Sequence, residues 1–302
     1  MLITLIAAYV RALWESFPLM VGLGAILGVV TGGVPAYPRE VSTVALILAM
    51  TFSLTEVRFS GISLRAEARA FGRAAGWNYL ALTGLILALS IMYSDPSIRS
   101  GWVVMAALPS AIAVIPLTAA FGGNVRSSLV STAFLYLGAL AIYPAVTVAF
   151  AGQAVNLGDL AVQILVQIAL PMVVSRPLAS NAAVARHRSI LVNLSFFTLV
   201  FTLVGANRNV FAQDSVLIAA LAAGGLVRTW GLGGVAYILS PRLGADSAQR
   251  VSDTLFASLK NLGLAALLAF SLFGARAALP AIVSLFCEIS WLLPMSRLFR
   301  RL

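Results

Sequence analysis

Ten stretches of apolar residues, at roughly 17–32, 42–57, 72–93, 102–121, 128–150, 157–175, 189–205, 215–240, 251–273 and 277–296, divide the sequence, and arginines cluster between them. A run of about 20 apolar residues is what a helix needs to cross a bilayer. The alternating pattern of a membrane-spanning β-barrel is absent. With 61% apolar and only 10% charged residues in 302, no water-soluble core accommodates the chain. The expected fold is therefore an all-α membrane bundle of ten transmembrane helices. Residues 1–16 carry no basic start and continue into Arg11 and Glu15, which reads as a short interfacial helix and not a signal peptide.

The arginines test that count. If successive loops alternate sides, fourteen arginines fall on the side of the N-terminus and four, Arg39, Arg99, Arg208 and Arg276, on the other. Such a bias places both termini in the cytoplasm, in the inner (cytoplasmic) membrane. The net charge of +10 then reports orientation, and no nucleic-acid partner is expected. One cysteine, Cys287, excludes a disulfide framework or a multi-thiolate centre, and no cofactor or metal is expected.

Two cations remain inside the spans, Arg228 and Lys260, the only lysine in the chain. Glu288 is the one acid at mid-span. Intramembrane charges normally face a bundle interior or cavity and pair with one another. An ion pair between Lys260 and Glu288 is expected, against the alternatives that Lys260 snorkels to the interface or neutralises by losing its proton, or that Glu288 is protonated and bonds to backbone. Arg228, which does not shed its proton, is a candidate ligand for a carboxylate substrate or a second partner for Glu288.

Helix breaks supply a second pattern. Pro109 and Pro116 should interrupt the fourth span, and Lys260-Asn261-Leu262-Gly263 forms a weaker break in the ninth. Fourth of five and ninth of ten are matching positions in two halves, 1–150 and 151–302. Interrupted spans at matching places point to two inverted five-helix repeats with a binding site between the broken helices.

At these stretches the chain resembles the bile acid:sodium symporter family. Pro109-Ser-Ala-Ile-Ala-Val-Ile matches the family's Pro-Gly-Gly-Thr-Ala-Ser-Asn, and Gly123-Asn-Val-Arg-Ser-Ser-Leu-Val-Ser-Thr132 its Gly-Asn-Val-Ala-Leu-Ser-Val-Ala-Val-Thr. Phe256-Ala-Ser-Leu-Lys-Asn-Leu-Gly-Leu-Ala265 matches Glu-x-Gly-Met-Gln-Asn-Ser-Gly-Leu-Ala, and Met50-Thr-Phe-Ser-Leu-Thr aligns loosely with Met-Phe-Gly-Met-Gly-Leu-Thr. The resemblance implies a panel domain and a core domain, with helices 4 and 9 interrupted and crossing. It also implies two sodium sites, whose ligand positions here are Val114, Ile115, Phe256 and Lys260, with Asn78 where the family has a further glutamine. Hydrocarbon offers no hard oxygen ligand. Ser128, Thr132 and Asn261 survive, but without a carboxylate they make a poor cation site.

Phe256 and Lys260 are four apart and share a helix face. The expected change is that a tethered ammonium replaces a mobile cation. The implied function is sodium-independent transport of an organic anion, bile-acid-like or a small carboxylate, by alternating access. Coupling to sodium or to protons, and a non-transporting sensor on the same fold, are the alternatives. An intramembrane enzyme is not expected, because the one histidine, His187, lies in a basic loop and no catalytic set converges in the spans. Substrate identity, direction of transport and oligomeric state have no signature.

Overall fold

The protein was examined as a computed structural model, which describes residues 14–56, 65, 67–151 and 157–299. The expected interfacial helix therefore lies outside the described residues up to position 13. Among the described residues every regular element is helical. Six helices among the described residues, some running through an irregular turn, are long and apolar enough to cross a membrane.

The chain forms two compact units that interleave in sequence, each drawing on both 1–150 and 151–302. The first comprises residues 1–56 and 162–215. It contains α1 (Phe17–Thr31) and α2 (Pro38–Leu54). The stretch α8 (Leu157–Ile164), a π segment (Leu165–Ala169) and α9 (Leu170–Leu178) enters it, and α10 (Ala182–Ala206) and α11 (Arg208–Gln213) complete it. Helix α10 packs on both α1 and α2, and α9 packs on α2. Sequence placed the start of α10 near residue 189. The helix begins about two turns earlier because the Asn181 side chain accepts from the N–H groups of Ala183 and Val184 at 2.9 and 3.2 Å, an N-cap that supports its arginine-rich first turns.

The close approach of α10 to the turn after α1 depends on glycine. A Cβ on Gly205 would fall on the backbone of Gly32 and Gly33, and small residues are what let membrane helices meet backbone to backbone. Gly205→Ala is expected to cost about 1–3 kcal/mol through overpacking. Thermal unfolding of the purified variant reads this, and an unchanged midpoint would show that the contact yields freely.

The second unit comprises residues 57–161 and 216–302. Its first half has α3 (Ala68–Ala75), a π segment (Gly76–Leu82) and α4 (Thr83–Ser90), then α5 (Pro96–Ala107), α6 (Val114–Ala120) and α7 (Val125–Ala151). Its second half has α12 (Ser215–Leu226), a π segment (Val227–Gly231) and α13 (Leu232–Leu239), then α14 (Ser247–Ser258), α15 (Leu262–Phe273) and α16 (Ala275–Phe299). The run α14–α15 is its centre, with 83% of its apolar window buried. Helix α15 packs on α16 and α5, while α14 packs on α13, α3, α6 and the first π segment.

Both expected interruptions occur, and both are shifted. In the first, α5 ends at Ala107 and α6 starts at Val114, with Pro109 in the gap. The residue before a proline is driven out of the helical region, and Leu108 is extended at φ −86°, ψ 158°. Pro116 does not break the chain. It lies in the first turn of α6, where a missing N–H leaves no intrahelical bond unmade. In the second, the gap is Leu259–Asn261, and Gly263 falls inside the first turn of α15. The two gaps are joined by a backbone bond, from Asn261 N–H to Pro109 O, of 3.0 Å.

Candidate functional site

Lys260 sits in the second gap, 1% exposed, and its side chain reaches the first. Nζ lies 2.6 Å from Leu108 O, 3.1 Å from Ala106 O and 3.1 Å from Thr83 Oγ1. Asn78 adds its side-chain Oδ1 at 3.2 Å and its carbonyl O at 3.3 Å. Five oxygens thus surround a group with three N–H donors and no acceptor when charged. The Tyr79 ring lies 5.1 Å away on another side.

Each oxygen is freed by a local irregularity. The extended Leu108 turns its carbonyl out of α5, and Ala106 is one of the last carbonyls of that helix, which find no intrahelical donor. Those carbonyls form the negative end of the α5 dipole, where a cation is favoured. The π segment Gly76–Leu82 displaces the hydrogen-bond register around Asn78, and such single-turn irregularities commonly mark functional sites. Thr83 donates to Ala106 O at 2.7 Å, leaving its lone pairs for Lys260. Burying an isolated ammonium is prohibitive, and these dipoles reduce that cost.

The expected Lys260–Glu288 ion pair is not what forms. Glu288 Oε1 accepts from the backbone N–H of Lys260 at 2.9 Å and pairs with Arg228 Nη2 at 2.7 Å. The Lys260 ammonium is bound by neutral oxygens, so the carboxylate is left to Arg228, which is fully buried. Arg228 Nη1 also donates to Ser258 O at 3.3 Å. Arg228 is thus Glu288's partner, the second of the two roles open to it.

The remaining expected positions separate from Lys260. Val114 and Phe256 belong to an apolar cluster with Leu255, Leu259, Trp291 and Met295, and Ile115 is buried beside Val114 on α6. Ser128 Oγ bonds to Thr118 Oγ1 at 3.1 Å and to Ser252 Oγ at 2.9 Å. The Thr132 hydroxyl is buried with no partner among the described residues. Asn261 caps α15 by accepting from Leu264 N–H at 3.1 Å and donates to Tyr136 OH at 2.6 Å. Asn78 also donates to Phe256 O at 3.0 Å, so it belongs to both the cage and the broken helix.

Two features escaped the sequence. Thr83 joins the cage, a role that its spacing of five from Asn78 signals only if a π turn is assumed. Asp253 is fully buried and paired with Arg73, whose Nη1 also donates to Leu243 O at 3.0 Å, while Gln249 Nε2 donates to Asp253 Oδ1 at 2.9 Å. Both members lie near the ends of their spans and read as interfacial.

No curated protein matches the sequence significantly. The model of the SBF-like CPA transporter family matches residues 20–287, which is most of the chain. On that match and its apolar helices, the chain belongs to the SBF-like CPA transporter family and is a multi-pass membrane transporter.

Proposed function

We propose that this transporter carries an organic anion, bile-acid-like or a small carboxylate, by alternating access and without a coupling sodium ion. The carrying observation is the five-oxygen cage on Lys260 Nζ. Backbone carbonyls, a hydroxyl and an amide oxygen at the crossing of two broken helices are the ligands a dehydrated monovalent cation would use. Here the cation is covalently attached and cannot travel down its own gradient. A protonated Lys260 together with Arg228 outnumbers Glu288 by one, and the neutral cage adds no charge of its own. A net positive interior favours an anion as the carried species.

The inverted repeat, 1–150 against 151–302, fits this reading. The π segments Gly76–Leu82 and Val227–Gly231 fall in the third expected span of each half, and the interruptions in the fourth. The bias of arginines supports cytoplasmic termini in the inner membrane.

The test is uptake into proteoliposomes of a panel of small carboxylates and amphipathic anions, with and without sodium and with an imposed pH gradient. Expected is uptake without sodium that Lys260→Ala abolishes. Strict dependence on sodium overturns the proposal, and uptake that follows only the pH gradient replaces it with proton coupling.

A further inference from the structure

A gap within a buried helix leaves backbone groups that the helix itself cannot satisfy. At the end of α14, Leu259 N–H closes on Leu255 O at 3.0 Å, and Asn78 takes Phe256 O at 3.0 Å. Ser258 O, on the last residue of α14, and the N–H of Lys260 have no such partner within the helix. Arg228 Nη1 donates to Ser258 O at 3.3 Å, and Glu288 Oε1 accepts from Lys260 N–H at 2.9 Å. The same Oε1 holds Arg228 Nη2 at 2.7 Å. One ion pair therefore spans the gap, its cation at the carbonyl end of α14 and its anion at the free N–H. Both placements suit the local backbone polarity.

The consequence falls on Lys260. Its amide is held toward α16 by Glu288, while its side chain extends to Thr83 on α4 and to Ala106 at the end of α5. We infer that Arg228 and Glu288 are positioning residues, a splint across the broken helix that keeps the Lys260 ammonium in its oxygen cage. The inference rests on the cage used in the proposed function. Its test needs no substrate, so a failed uptake assay and a failed splint are told apart.

Lys260 is the only lysine in the chain, so reductive methylation with formaldehyde and cyanoborohydride, read by mass spectrometry, reports its exposure alone. The full chain in detergent is compared as wild type and as two charge-neutral double variants, with the N-terminal amine as internal standard. In R228M/E288Q the neutral amide oxygen at position 288 can still accept from Lys260 N–H. In R228M/E288L that bond is not made. Expected are near-wild-type methylation in R228M/E288Q and about tenfold faster methylation in R228M/E288L, through local opening of the gap. Failure of R228M/E288L to accumulate, beside a folded and slowly methylated R228M/E288Q, supports the splint equally. Equal methylation of the two doubles overturns it, and so does failure of R228M/E288Q to accumulate as monodisperse protein.

Discussion

Lys260→Ala is expected to lower the unfolding temperature by about 5 °C, and methylammonium should restore much of the loss. Truncation removes the ammonium and leaves Leu108 O and Asn78 Oδ1 facing a hole in a buried region, while Ala106 O keeps its bond from Thr83. An orphaned buried acceptor costs roughly 1–3 kcal/mol, and water entering a polar hole recovers part of the sum. A net loss of about 3 kcal/mol corresponds to the stated shift in a chain of this size. The hole keeps its oxygens, so a small cation that binds the folded state restores stability in proportion to the logarithm of its concentration. Lys260→Met fills the channel with an apolar chain and should show no rescue. Thermal unfolding with ammonium, methylammonium or sodium chloride reads both variants. The cage is not a cation site if all three leave Lys260→Ala where choline chloride leaves it.

Asp253→Ala is expected to destabilise by roughly 3–5 kcal/mol, because a largely buried Arg73 loses its counter-charge. The double variant R73M/D253L should recover most of that loss, since replacing a buried pair by apolar groups is often neutral or better. The partial compensation is specific to the pair. Gln249 Nε2 and Leu243 O each lose a bond in the double variant, which keeps recovery short of complete. Denaturation midpoints of R73M, D253L and R73M/D253L, beside the parent chain, form the cycle. Additive losses would show that Arg73 and Asp253 act independently, and a cost below about 1 kcal/mol for Asp253→Ala would show that water reaches the pair.

Much of the helical layout was open to direct reading. The stretch expected at 215–240 is α12, its π segment and α13 over Ser215–Leu239. That expected at 277–296 is α16 over Ala275–Phe299. Apolar length is dictated by the bilayer as solvent, and it is written residue by residue. The same logic exposed Lys260, Arg228 and Glu288, since a charge within hydrocarbon stands out whatever its partner.

Partnership was not written there. Glu288 is equally placed in sequence to take the Lys260 ammonium or the Arg228 guanidinium, and only distances in the folded unit assign it to Arg228. Asp253 and Arg73 sit near span ends, where a charge normally meets water, so nothing in the residue types marked their burial. Three of the five cage oxygens are main-chain carbonyls, of Ala106, Leu108 and Asn78. Every residue carries such a carbonyl, and only a break or a π turn releases it. The sequence by itself determined which segments are apolar enough to cross a membrane and which charges had to be compensated, because both follow from transfer between water and hydrocarbon. Tertiary structure alone decided how Lys260 is compensated, because that depends on where two broken helices bring their unpaired backbone oxygens together.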